Sequence, residues 1–184
     1  MVISFTPGTG QDGHDAVQMW LMDRRPIEDH DRPAIAEFIE QHWHSRMVIS
    51  RGQGYYPHEQ DGFIEWRDDK IVGLLTLRCD GDSMELLTLN STLEGQGIGS
   101  ALLLAAIDKA REMNLSPVWL TTTNDNLRAI GFYQRLGFRM TAVNLGAVDE
   151  ARKIKPQIPE VGQNGIPIHD EVVLELQIKP SLEA

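Results

Sequence analysis

The stretch Leu93-Glu94-Gly95-Gln96-Gly97-Ile98-Gly99-Ser100 lies between two segments of different periodicity. Before it, residues 83–89 form a β-rich run. After it, residues 98–113 begin almost wholly apolar and end polar, which predicts a helix buried against a sheet. A strand that ends in a glycine-rich turn and enters a helix points several backbone N–H groups into one small volume. The helix N-terminus adds about half a positive charge. That combination suits a phosphate or pyrophosphate. The Walker pattern requires Gly-Lys-Ser/Thr, which the chain lacks, and the dinucleotide fingerprint fails because Ser100 stands at its third glycine. Taken alone, the loop has two readings: an anion cradle, or a glycine turn that permits tight helix–strand packing.

Working outward, residues 62–67 and 70–78 read as strands flanking an Asp68-Asp69 turn, and Asp80-Gly81 is a second hairpin signal. Further upstream, a strand is expected at 17–23. A helix follows, with Asp31 as its cap, Pro33 in the first turn and Ile35, Phe38 and Ile39 at helical spacing, running to about Trp43. Residues 45–58 contain Gly52, Gly54 and Pro57 and read as irregular or a short broken helix. Downstream, 118–122 is a short strand, Asn126 opens a helix that Gly137 closes, and 138–143 and 171–178 are strands. A long connection at about 144–169 carries Pro156, Pro159 and Pro167; loops of that length are usually functional or disordered. Residues 1–15 read as a loose N-terminal arm, and 16–184 as a single domain. The element order predicts an α/β layered domain with a mixed sheet.

Composition narrows the function. The chain has 184 residues, 41% hydrophobic and 24% charged, within the ordinary globular range. The lone cysteine, Cys79, excludes an intrachain disulfide framework and any CxxC zinc or redox motif. A net charge of -10 without a basic block argues against nucleic acid as a partner and suits a cationic substrate better. No apolar run approaches the ~18 residues of a membrane span, and the first residues lack a signal peptide's basic flank. The expected compartment is the cytoplasm, with no membrane partner. His42 and His44, two residues apart at a helix end, do not share a face and make a poor zinc pair.

About 30 residues beyond the glycine loop comes Asn126-Leu-Arg-Ala129-Ile-Gly-Phe132-Tyr133-Gln-Arg-Leu136-Gly137-Phe138. Together the two stretches resemble the GNAT superfamily of acyl-CoA-dependent N-acyltransferases. The family's loop pattern, Gln/Arg-x-x-Gly-x-Gly/Ala, is met at Gly97 and Gly99. Its second pattern, Asn-x-x-Ala-x-x-(aromatic or Leu)-Tyr-x-x-x-Gly-Phe, is met at Asn126, Ala129, Phe132, Tyr133, Gly137 and Phe138. The resemblance covers about residues 62–143. One position departs: Glu94 stands where the family has Gln or Arg. An acidic side chain there would repel phosphate unless it pointed to solvent, so somewhat weaker cofactor affinity is expected.

The resemblance implies a GNAT-like mixed, mostly antiparallel sheet flanked by helices, with strands 83–89 and 118–122 as parallel neighbours that splay apart. It implies acetyl-CoA as cosubstrate and no metal. Its pantetheine arm would fill the gap and bond backbone near Leu87 and Leu89, with the Leu89 N–H polarising the thioester carbonyl. The amides of Gln96, Gly97, Ile98, Gly99 and Ser100 would hold the pyrophosphate. Asn126 would cap its helix and reach the cofactor arm. Ala129 would leave room for the cofactor or serve simply as core. Tyr133 would protonate the departing thiolate, or be an ordinary packed tyrosine. Glu85 would be the base for the amine, on the face of Leu87 and Leu89 unless a bulge intervenes, or else a solvent-facing strand glutamate. The acceptor would be a small-molecule or peptide primary amine; the alternative is a non-catalytic CoA-binding regulatory module. Tyr55, Tyr56 and His58 would roof the acceptor pocket or pack. Trp119 reads as core; Arg152, Lys153 and Lys155 would meet the acidic surface or the CoA phosphates, or form a solvated charge cluster; and strand 171–178 reads as an exposed edge through which a homodimer could form.

Overall fold

A computed structural model describes residues 23–178. The expected arm at 1–15 and nearly all of the strand expected at 17–23 lie outside the described residues; β1, Asp23–Pro26, begins where that expectation ends. There follow α1 (Arg32–Trp43), β2 (Val48–Ser50), β3 (Gln53–Tyr55), β4 (Asp61–Arg67), β5 (Lys70–Asp80), β6 (Ser83–Ser91) and α2 (Ile98–Glu112). The remainder is β7 (Val118–Thr123), α3 (Leu127–Arg135), β8 (Arg139–Asn144), α4 (Ala147–Ile154) and β9 (Glu171–Leu176). Seven strands form one sheet in the order β1-β4-β5-β6-β7-β9-β8, and β2-β3 is a separate hairpin. Among the described residues only β6 and β7 are parallel; every other pair of the sheet is antiparallel. The fold is thus the mixed, mostly antiparallel α/β arrangement expected.

Local chemistry accounts for these elements. Asp68 and Asp69 both take positive φ, 48° and 57°, as a two-residue type I′ hairpin turn requires. The apolar face of α2, including Leu102, Leu103, Ala106 and Ile107, packs with Leu75, Leu77, Leu86 and Leu89 on one face of the sheet. Ile35, Phe38 and Ile39 of α1 pack with Ile64, Ile71 and Leu74 on the other. Asp31 does not cap α1 with its side chain. Its carboxylate is taken by the Arg25 guanidinium, at 2.6 and 2.9 Å, and by the Glu28 N–H.

Three segments differ from expectation. Residues 45–58 hold the β2–β3 hairpin rather than an irregular run. Its turn, Arg51-Gly52, has φ of 50° and 75°, so Gly52 acts as a hairpin signal and not as a breaker. The connection at 144–169 is not a bare loop: α4 occupies its first half and buries Val148 and Ala151. Strand β9 is not an edge; it lies between β7 and β8, and among the described residues the sheet's edges are β1 and β8. Residues 171–178 therefore offer no free strand edge through which a homodimer could form.

The closeness of α2 to β5 fixes where the glycine loop ends. A Cβ at Gly73 would collide with Ile98 and stand 2.8 Å from Leu102 Cδ1. Gly73→Ala is expected to lower stability by about 1–3 kcal/mol through overpacking, a fall of several degrees in Tm for a chain of this size. Urea unfolding followed by circular dichroism checks it.

Candidate functional site

The site starts from an interrupted ladder. Strands β6 and β7 pair only at Met84↔Val118 and Glu85↔Trp119, and beyond those positions they diverge. The N–H of Met84 still reaches the Pro117 carbonyl at 3.0 Å. Farther along β6, the Thr92 N–H donates to Val72 on the β5 side. Alternation along a strand then directs the Thr88 and Asn90 N–H groups to β5 and those of Leu89 and Ser91 into the opening. The Leu89 amide therefore faces the gap. Leu87 has no partner in β5: Leu77 faces Leu86, and the next residue of β5, Thr76, faces Thr88. It is the extra residue of a β-bulge.

That bulge corrects the side assigned to Glu85. Strict alternation would set Glu85 beside Leu87 and Leu89. Instead Arg78↔Glu85, Thr76↔Thr88 and Leu74↔Asn90 share one face, the α1 side, while Leu89 faces α2. Nor is Glu85 solvent-facing: it is 1% exposed. The Ser50 hydroxyl donates to its Oε1 at 2.5 Å, and the Arg78 guanidinium to its Oε2 at 3.2 Å. Burial raises the Glu85 pKa above the usual carboxylate value, while the Ser50 hydrogen bond and the Arg78 charge pull it back. Ser50 also lies 3.3 Å from Thr121 Oγ1, so the hairpin and β7 meet over the carboxylate.

On the α2 side, the glycine loop borders a cleft of about 330 Å³ that touches Leu89, Ser91, Gly97, Ser100, Arg128 and Phe132. Gly95 and Gly97 take φ of 72° and 73°, and a Cβ on either would meet only open space. The backbone of the loop is thus bare toward the cleft, as an anion cradle needs. Gln96 is held by Arg67, which also salt-bridges the buried Glu65 at 2.8 Å. Glu94, the departure from the family pattern, does not stand alone. Its carboxylate pairs with Arg128 of α3 at 2.8 Å. The acidic substitution thereby sets a guanidinium at the border of the same cleft, which neutralises the repulsion expected from the sequence.

Helix α3 follows the expected chemistry at its start. Asn126 Oδ1 accepts from the Ala129 N–H at 3.1 Å, an N-cap, while its Nδ2 donates to Thr122 Oγ1 at 3.2 Å. Ala129 and Tyr133 both belong to the core beneath α2. The Tyr133 ring lies edge-on to Phe132 and Phe138, with centroids at 5.1 and 5.3 Å. Full burial pushes its phenol well above the ordinary value, so it stays protonated.

A second cavity, of about 350 Å³, opens at the C-terminal ends of β7 and α1. Tyr55, Tyr56 and His58, expected to roof an acceptor pocket, do not line it; His42, Trp43, His44, Ile49 and the 144–169 connection do. Tyr55 instead bonds and stacks on Arg78. Of the basic residues of the connection, Lys153 stays exposed and pairs with Glu150, while Arg152 and Lys155 turn inward. Arg152 donates to the carbonyls of Ile158, Pro159 and Ile168, pinning the wall of the cavity. Lys155 is buried and donates to the Met47 carbonyl at 2.8 Å, tying α4 to the hairpin; burial lowers its pKa. Two further residues carry no signal in the sequence pattern. Asn90 is fully buried on the Glu85 face with neither amide atom bonded among the described residues. Glu171 lines the second cavity with an unpartnered carboxylate. Among the described residues, no three His, Cys, Asp or Glu side chains gather as a metal site, and no helix is long and apolar enough to cross a membrane.

Comparison with known proteins agrees with this geometry. The uncharacterized protein YxbD of Bacillus subtilis is 43% identical over 147 residues, covering 79% of this chain and 92% of its own length. An IAA acetyltransferase from Bacillus cereus shares the fold with TM-score 0.64 at 19% identity, covering 85% of this chain and 99% of that one. A GNAT family acetyltransferase from Elizabethkingia anophelis, solved with acetyl-CoA bound, shares it with TM-score 0.58 at 22% identity, covering 85% and 97%. Residues 15–138 match the Acetyltransferase (GNAT) family. With a matched span of well over half the sequence, an opened parallel strand pair and a bare glycine loop beside it, the chain belongs to the GNAT acetyltransferase family.

Proposed function

We propose that this chain is an N-acyltransferase that moves an acetyl group from acetyl-CoA to a primary amine by direct attack. The observation that carries the reading is the divergence of β6 and β7 just before Leu89, whose N–H then faces the gap beside a bare glycine loop. Family membership supports the cosubstrate, and the residues present fit it. Acetyl-CoA supplies the acyl group as an activated thioester.

The chain's own residues divide the work. The amides of Gln96 to Ser100 and the N-terminus of α2 bind the pyrophosphate, with Arg128 adding charge in place of the family's Gln or Arg. The Leu87 and Leu89 backbone aligns the pantetheine arm, and Asn126 steadies it from the start of α3. The Leu89 N–H donates to the thioester carbonyl and stabilises the negative charge that develops there as the amine attacks. Glu85, on the α1 face, takes the proton the amine must lose, directly or through water. Tyr133 gives a proton to the sulfur as the carbon–sulfur bond breaks. The acceptor enters from the Glu85 face, where the second cavity lies. A CoA-binding module without turnover is the second reading, and the complete burial of Tyr133 among aromatic rings favours it.

Tyr133→Phe separates the two. The enzyme reading expects kcat to fall about 10²–10⁴-fold with the Kd for acetyl-CoA unchanged; an unaltered kcat removes Tyr133 from the chemistry. Glu85 predicts a pH dependence. Its carboxylate must be ionised to accept a proton, so kcat/KM rises with pH through its raised pKa. Ser50→Ala deletes a hydrogen bond that favours the charged form, so the acid limb moves to higher pH; a shift downward contradicts the assignment. For the phosphate cleft, Arg128→Ala leaves Glu94 uncompensated and raises the Kd for CoA about tenfold. Adding Glu94→Gln recovers part of that loss, read by isothermal titration calorimetry at low salt.

A further inference from the structure

The cavity on the Glu85 face has a chemistry of its own. Apolar groups, among them Trp43, Ile49, Val148, Ile158 and Ile168, make the larger part of its surface between polar side chains such as His44, Thr123 and Gln157, and its volume of about 350 Å³ is that of a small-molecule pocket. Into this apolar wall the sheet delivers a carboxylate. Glu171 faces Thr123 across the β7–β9 ladder and is 5% exposed. No hydrogen bond or ion pair to its side chain exists among the described residues, and its Oε2 is buried without a partner. A buried carboxylate oxygen with no hydrogen-bond donor or cation beside it costs free energy.

The other charges around the cavity do not supply that compensation. Lys155, in the same wall, is committed to the Met47 carbonyl, and no ion pair joins it to Glu171. His42 uses Nδ1 on the Phe38 carbonyl at 2.7 Å. Asp125, whose carboxylate accepts from Thr123 Oγ1 at 2.5 Å, adds a second acid. Gly162 lies against that carboxylate so closely that a Cβ would collide with it, which closes the cavity there. The balance at the cavity is negative, in an apolar setting.

We infer that the acceptor is a compact monoamine, a single ammonium on a hydrocarbon or aryl body, and that Glu171 determines this specificity by binding the ammonium. This rests on the acyltransferase reading and names its substrate class. A hydrocarbon or aryl body matches the apolar wall. A polyamine would bring further ammonium groups, and beyond Glu171 the named carboxylate of the wall is Asp125, already engaged by Thr123 Oγ1. A peptide would bring main-chain N–H and carbonyl groups that need hydrogen bonds, and an apolar wall supplies few. Glu171 lies on the same sheet face as Glu85, which is not itself part of the cavity wall.

The test compares n-hexylamine and 2-phenylethylamine with spermidine and a lysine-containing hexapeptide, at saturating acetyl-CoA. The expected result is a kcat/KM at least about tenfold higher for the two monoamines. Glu171→Gln should raise their KM about tenfold or more while kcat falls less than about threefold and the Kd for acetyl-CoA holds. Calorimetric titration of 2-phenylethylamine into the protein with CoA present reads the cavity without turnover. Binding should be seen in the wild type and lost in Glu171→Gln. Ala151→Leu, which fills the cavity without touching its charge, should weaken 2-phenylethylamine binding as well. Preference for spermidine or the peptide, or a Glu171→Gln protein that binds the monoamine as the wild type does, overturns the inference. Monoamine binding that depends on Glu171, without acetyl transfer to any amine, upholds the cavity's selectivity and sinks the acyltransferase reading instead.

Discussion

The structure depends on hydrogen bonds that β6 and β7 do not make. A parallel pair that closed along its whole length would satisfy its backbone and leave no place for a ligand. Here the pair forms two rungs, at Met84↔Val118 and Glu85↔Trp119, and stops. The strands beyond are held apart by what packs on either side. On one face α2 and α3 press Leu102, Leu103 and Tyr133 against Leu86 and Leu89. On the other the β2–β3 hairpin sets Ser50 over Glu85 and Thr121. Backbone donors left facing an opening are costly unless something accepts from them, so the scaffold stores a binding site in its main chain.

The bulge at Leu87 gives that opening two chemically different sides. One extra residue turns Leu89 toward α2 while Glu85 keeps company with Thr88, Asn90 and α1. The proposed cofactor and acceptor sites thus occupy opposite faces of one sheet and meet only at the gap. The phosphate side depends on backbone amides and the Glu94–Arg128 pair. The acceptor side depends on the long connection, where Arg152 and Lys155 spend their charges on carbonyls to hold the wall in place. A charge that looks solvated by composition is here a fastener.

Much of this was legible in the sequence, and what escaped has a physical reason. The helices were readable because α1 and α2 carry apolar residues at helical spacing, and β4 and β5 because Asp68-Asp69 suits positive φ at both positions. The glycine loop and the α3 cap were readable because each depends on local backbone chemistry. The side taken by Glu85 was not, since a single inserted residue inverts alternation and leaves no mark on composition. The hairpin at Val48–Tyr55 is not legible in the sequence because Gly52 serves turns and breaks alike. The place of β9 inside the sheet, the pairing of Glu94 with Arg128 and the solitude of Glu171 are tertiary facts. They arise between residues dozens of positions apart, where no periodicity reports them.

The central claim is that the Leu89 amide faces the gap and receives the thioester carbonyl. A ¹H–¹⁵N correlation spectrum of the labelled chain, titrated with acetyl-CoA and separately with CoA, tests it most directly. Both ligands should shift the amides of Gly97 and Gly99, and acetyl-CoA should shift Leu89 well beyond the change CoA produces. A Leu89 resonance that responds equally to the two, or to neither while the loop amides move, would contradict the account.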